Sequence, residues 1–174
     1  MAFAAVVLAA GAATRYGRPK QRELLPHVLG RLMQTGVDQI VVVEGAYTLE
    51  TVSRLRRETV SFVRADDWER GPGASLRAGL ASLGPDATHA LVVLADGPNL
   101  DPRAVERLVE AHDQGPVLAA SYDGVRSHPV LLAREVWSSI PDEGARALEP
   151  ILVDCSDLEP PGDVDRPTGG TAAT

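Results

Sequence analysis

The feature that most narrows the fold is an alternation: short apolar runs, unbroken rather than every-other-residue, separated by segments of helical period. The runs are Phe3–Ala9 (FAAVVLA), Gln39–Glu44 (QIVVVE), His89–Ala95 (HALVVLA) and Pro116–Ser121 (PVLAAS). A strand apolar at consecutive positions is covered on both faces, as in a parallel sheet held between helices. Among the helical segments, His27–Thr35 gathers Val28, Leu29, Leu32 and Met33, and Thr48–Glu58 gathers Leu49, Val52 and Leu55 behind an N-cap threonine. Ser75–Leu83 gathers Leu76, Leu80 and Leu83. Asp101–His112 has Asp101 as N-cap, Pro102 at the first helical position and a stripe of Val105, Leu108 and Val109. The pattern predicts an α/β fold: a single Rossmann-like, doubly wound, mostly parallel sheet with helices on both faces. Later in the chain, Pro129–Ala133 reads as a strand, Gly144–Leu152 as a short helix and Cys155–Leu158 as a weak strand. The expected domain spans 1–166, and the small polar residues of 167–174 read as a disordered tail.

With 174 residues the chain is the size of one domain. Its 17 Lys and Arg against 24 Asp and Glu give a net charge of −7, which argues against non-specific binding to nucleic acid or to an anionic membrane. Its single cysteine, Cys155, can form no internal disulfide and no cysteine-rich zinc site. The apolar stretch Ala2–Ala10 lacks a basic residue before it and is too short to span a bilayer, so it reads as a buried first strand of a cytoplasmic protein.

Ligands of open α/β sheets bind beyond the carboxyl ends of the strands, and three such ends stand out. After the first strand comes Leu8-Ala-Ala-Gly-Ala-Ala-Thr-Arg-Tyr-Gly-Arg-Pro-Lys20, longer than an ordinary strand-to-helix loop. Gly11 and Gly17 let backbone approach a ligand closely, and Arg15, Arg18 and Lys20 add positive charge, a combination suited to polyphosphate. Lys20 is the only lysine beside 16 arginines, so a compact point charge is selected there or the choice is chance. Neither the dinucleotide glycine fingerprint nor the P-loop spacing is present. At the second end, Leu94-Ala-Asp-Gly-Pro-Asn-Leu100 sets Asp96 after an apolar strand. Alone, such an aspartate is a turn former; beside a phosphate loop it is a candidate Mg²⁺ ligand. The third, Trp68-Glu-Arg-Gly-Pro-Gly-Ala-Ser-Leu-Arg-Ala-Gly79, leads glycines into a helix N-terminus and is weak by itself.

Taken together, these stretches resemble the MobA-like nucleotidyltransferases, and most closely the molybdenum-cofactor cytidylyltransferase type. The 8–20 stretch is similar to the family's L-A-[AG]-G-x-x-x-R-x-G-x-P-K signature, and H-P-V-L at 128–131, D-E-G-A-R at 142–146 and D-V-D-x-P at 163–167 follow in the family's order. The resemblance implies a sheet of the nucleotide-diphospho-sugar transferase type. It also implies that Gly11, Arg15 and Lys20 hold the phosphates of an NTP, and that Leu8, Ala9 and Ala10 present backbone to the base. Ser75, with Gly73 and Gly79, would complete the base and ribose pocket. Asp96 and Asp165 would bind Mg²⁺, and His128 falls on the acceptor side, where a buried structural histidine is the alternative. Ala10, where a second glycine tends to accompany GTP, leans towards CTP. The chain departs from the family in two places: a short segment after Lys20 is missing, and Ser127 replaces a glycine.

The implied reaction is transfer of an NMP, CMP being favoured, from the NTP to a phosphorylated acceptor such as molybdopterin, with loss of pyrophosphate. Two alternatives remain at this level: a non-catalytic nucleotide- or partner-binding protein on the same scaffold, or guanylyl transfer to 2-phospholactate or a sugar phosphate. A Rossmann dehydrogenase is disfavoured by the absent fingerprint.

Overall fold

A computed structural model describes residues 1–11, 20–49 and 59–162. The expected runs become strands β1 (Ala2–Leu8), β2 (Gln39–Glu44), β4 (Ala87–Leu94) and β5 (Val117–Tyr122), joined by β3 (Val60–Arg64), β6 (Val125–Ala133) and β7 (Ile151–Asp154). They form one sheet in the order β3-β2-β1-β4-β6-β5-β7. Every neighbouring pair is parallel except the two that include β6, so the expected mostly parallel sheet is present with one reversed strand. The β5–β6 turn places Asp123 at φ 52° and Gly124 at φ 78°, two successive left-handed residues that suit a tight hairpin.

Both faces of the sheet are covered. Ala5 and Val7 of β1 meet Leu25, Leu29 and Leu32 of α1 (Lys20–Leu32) and Val105 and Leu108 of α3 (Pro102–Glu110). Ala4 and Val6 meet Leu76 and Leu80 of α2 (Pro72–Ala81) on the opposite face. Asp101 caps α3 as its position before Pro102 predicts, its side chain accepting from the Arg103 backbone N–H. No described helix is long and apolar enough to cross a membrane.

Several boundaries differ from expectation. Helix α1 begins at Lys20 rather than His27 and carries Pro26 inside it. A proline in a helix interior costs about 3 kcal/mol, and one fully buried leucine returns about 1.5–3 kcal/mol. Leu25, fully buried in the turn before the proline, is the compensation that local propensity does not reveal. Helix α2 starts at Pro72, ahead of Ser75. The Gly144–Leu152 segment is helical only as a 3-10 turn over Gly144–Ala147 and then becomes strand β7, whereas Cys155–Leu158 is not a strand. Strand β3 follows the Thr48–Glu58 segment, which from residue 50 lies outside the described residues, as does the tail expected at 167–174.

Candidate active site

From β1 the chain moves outward to β2 and β3, and later returns to start β4 on the other side of β1. The carboxyl ends of β1 and β4 therefore flank the point where strand order reverses, where a doubly wound sheet leaves a crevice. Leu8 is paired with Leu94, and the Ala95 N–H donates to the Leu8 carbonyl at 3.1 Å. Leu8–Gly11 and the Asp96 segment thus leave the sheet side by side. Ala9 and Ala10 remain buried and tied to β2 and the turn after it: Ala9 N–H donates to Val43 O at 3.0 Å, and Ala46 N–H donates to Ala10 O at 3.1 Å. Gly11 is exposed.

Two buried polar side chains stand behind this edge, and neither stood out in the sequence. Gln21, on the first turn of α1, is 5% exposed and donates from Nε2 to the Gly11 carbonyl at 2.9 Å. Its Oε1 is buried and has no partner among the described residues. Glu44 ends β2, and its carboxylate accepts from the Leu49 backbone N–H at 2.7 Å, turning the chain after the strand. Gln21 becomes conspicuous only once α1 is known to start at Lys20, because position 21 then falls on the helix's apolar stripe.

The third sequence stretch is tied down as structure. A Cβ at Gly73 would lie 1.7 Å from the Pro141 carbonyl oxygen, and the Gly73 N–H donates to Asp142 O at 2.9 Å. At Gly79 a Cβ would lie 2.4 Å from Val6 Cγ1 and 2.8 Å from Val43 Cγ2, so glycine is what lets α2 approach the sheet. Ser75 is buried in the first turns of the same helix, at 3% exposure. The Asp142 carboxylate receives Arg77 at 2.6 Å and Arg70 at 3.2 Å, and the hydrogen bond from Arg77 leads the causes that hold its pKa down. The 68–79 and 142–146 motifs are therefore partners in one contact.

Because β6 runs backwards, its first residues reach the same edge. The Arg126 guanidinium donates to Ala145 O at 2.7 Å and Leu148 O at 2.8 Å, so it buttresses backbone. The His128 imidazole has a pKa pushed down to about 4, first by burial and then by Arg126, with Asp96 opposing. It is neutral near pH 7 and offers one donor and one acceptor. A cavity of about 480 Å³ opens here, walled by Leu8, Leu94, Leu100, Val130 and Pro161, with Arg126, Ser127, His128, Glu143 and Arg146 at its polar places. That volume accommodates a ring-sized ligand.

Among the described residues no three His, Cys, Asp or Glu gather to form a metal cage. A hard divalent cation carried by a triphosphate needs only one or two carboxylates, since phosphate oxygens and waters complete its shell. Asp96, at the reversal point, fits that requirement. Arg15, Asp165 and the side chain of Lys20 lie outside the described residues, so the structure brings together Leu8, Ala9, Ala10, Gly11 and Asp96 but does not report on those three.

Residues 5–152 match the MobA-like NTP transferase domain. Nicotine blue oxidoreductase of Paenarthrobacter nicotinovorans is 34% identical over 92% of this chain and 90% of its own length. The crystal structure of Rv0371c from Mycobacterium tuberculosis H37Rv superposes with a TM-score of 0.78 at 26% identity, covering 95% of this chain and 94% of that one. The same protein in complex with manganese gives a TM-score of 0.69 at 24% identity, covering 88% and 89%. With most of its length matched by the domain and its sheet reproduced in solved relatives, this chain belongs to the MobA-like NTP transferase family.

Proposed function

We propose that the chain transfers a nucleotidyl group, CMP in preference, from an NTP to a phosphorylated acceptor such as molybdopterin. The carrying observation is the side-by-side exit of Leu8–Gly11 and the Asp96 segment at the reversal point, clasped by the Ala95–Leu8 hydrogen bond. An ionised phosphate oxygen of the acceptor forms a bond to the α-phosphorus while the bond to the bridging oxygen of the β-phosphate breaks, and pyrophosphate departs with that electron pair. The nucleophile is already charged, so the protein's task is alignment and neutralisation. In this reading Arg15 and Lys20 hold the charge that develops on the leaving group, and Gly11 lets backbone approach the phosphates. Leu8, Ala9 and Ala10 face the base, and Ser75, in the stretch containing Gly73 and Gly79, borders the base and ribose. Asp96 and Asp165 hold Mg²⁺. When bound, Mg²⁺ supplies positive charge at the α-phosphate. The cavity beside His128 receives the acceptor. Release of pyrophosphate from each NTP in turn, with Mg²⁺ and phosphorylated acceptors, tests the proposal; binding without turnover would support a non-catalytic nucleotide-binding protein.

A second reading rests on one observation, the relative bearing an oxidoreductase's name at 34% identity across nearly the whole chain. On that reading the apolar cavity holds an oxidised ring compound, and the nucleotide half of a nicotinamide dinucleotide occupies the β1 edge. Oxidation of NADH or NADPH in place of pyrophosphate release would select it.

A further inference from the structure

We propose that Arg146 determines which compound enters the cavity beside His128: it selects ring-sized molecules that carry an anionic group, a phosphate above all, by pairing with that group. As the identity of an acceptor this rests on the transferase reading above; as a binding site it stands by itself. The cavity's walls are mostly apolar, and three of its lining side chains can be cationic: Arg126, His128 and Arg146. Two of them are unavailable. The Arg126 guanidinium is committed to the carbonyls of Ala145, Leu148 and Arg146 at 2.7, 2.8 and 3.3 Å. His128 is neutral near pH 7, because burial holds its pKa at about 4. Arg146 is exposed and, among the described residues, its side chain has neither a hydrogen bond nor an ion pair, Glu143 three positions earlier included.

What sets this arginine apart from an ordinary surface cation is the support beneath it. It stands on the 3-10 turn Gly144–Ala147, in a segment gripped from two sides. From α2, Arg77 donates to Ile140 O at 2.8 Å and to the Asp142 carboxylate at 2.6 Å. From β6, Arg126 holds the three carbonyls. Gly144, between these two grips, has φ 78°, and a Cβ there would lie 3.3 Å from the Gly73 nitrogen, so the turn sits against the start of α2. The backbone of Arg146 is thereby fixed while its guanidinium is left to meet a ligand. A guanidinium offers two parallel N–H donors to a phosphate or carboxylate, and the low dielectric of an apolar chamber strengthens the pairing. Glu143 lines the same cavity and repels an anion, so only a ligand whose charge reaches Arg146 gains by carrying one.

The test measures binding of three probes to the intact chain: phenyl phosphate, phenol, which lacks the charge, and inorganic phosphate, which lacks the ring. Wild type should bind phenyl phosphate more tightly than either fragment. Arg146→Gln should raise the Kd for phenyl phosphate about tenfold, the scale of one charge-assisted hydrogen bond, with phenol binding and the melting temperature unchanged. Arg146→Lys should recover part of the loss. Arg126→Gln should lower the melting temperature and weaken phenyl phosphate and phenol alike, because it loosens the wall itself. Equal binding of phenyl phosphate by wild type and Arg146→Gln overturns the inference. So does a wild type that binds phenyl phosphate no better than phenol, or a charge-selective loss in Arg126→Gln instead. Pyrophosphate release separates the site from the reading beneath it. A chain that binds phenyl phosphate through Arg146 yet releases no pyrophosphate from any NTP keeps the site and loses the transferase. Turnover whose acceptor KM is unmoved by Arg146→Gln keeps the transferase and loses the site.

Discussion

The two ends of the sheet are built on opposite principles. At the amino-terminal edge of the parallel strands polar groups are paired. Asp38 accepts from the Phe3 N–H at 3.1 Å, and Phe3 stacks on His89 at 5.1 Å and meets His112 edge-on at 5.7 Å. Arg134 donates to the carbonyls of Ala87 and Pro85 at 2.6 and 3.1 Å while lying over Trp137. The carboxyl-terminal edge carries groups that cost stability: Gln21 with an oxygen that has no partner among the described residues, and a histidine kept neutral by burial. Local inconsistency of this kind collects where function requires it, and the rest of the molecule compensates.

That contrast can be broken, and the largest expected effect comes first. Asp96→Ala or Lys20→Ala should lower the rate of pyrophosphate release about 10²-fold or more, the scale of one lost charge-stabilising group, with little change in melting temperature. Near-wild-type turnover in both would remove the active edge from the mechanism. At the far end Arg134→Ala should do the reverse, destabilising by about 1–2 kcal/mol through orphaned carbonyls while turnover at a permissive temperature is unaffected. Denaturant titration together with the rate assay decides this, and a loss of rate without loss of stability would contradict it.

Acid sharpens the comparison further. The folded pKa of His128 is about 4 against 6.5 for a free histidine, so the unfolded chain binds its proton first. Stability is therefore complete above pH 6.5 and declines as pH falls towards 4. Replacing His128 with Gln should flatten that decline, as seen in unfolding free energies at pH 7.5 and 5. His89 is shifted in the same direction by burial, then by His112 and the N-terminal ammonium. His89→Phe should flatten the same decline, but by less. An equal or larger effect at His89 would mean that the carboxyl-terminal edge is not the more strained.

The central architecture was legible because strands covered on both faces must be continuously apolar, as β1, β2 and β4 are. The misread strands are the edges. Strand β3 was not anticipated and β7 was read as a helix, because VSFVR and ILVD lie at the sheet's margins and are only partly buried. Proline misled at α1, where the helix passes through Pro26 instead of starting after it, and that error concealed Gln21. The family resemblance sets Gly73 and Gly79 beside Ser75 at the base and ribose pocket, and the structure adds a second role for both. Their contacts with Pro141, Val6 and Val43 give each a packing reason that no local pattern announces. Leu8–Gly11 and Asp96 could be brought together from sequence because strand ends and chain order suffice for that.

The reversed strand has a consequence for how such a molecule can diversify. Because β6 enters the sheet from the rim where β1 and β4 end, the Asp123–Gly124 hairpin shortly precedes Arg126, Ser127 and His128 of the cavity, whereas Leu8–Gly11 and Asp96 sit on separate connections. On the proposed function, lengthening or recolouring that hairpin would reshape the acceptor's cavity and leave the nucleotide's contacts in place, a division of labour set by the direction of one strand.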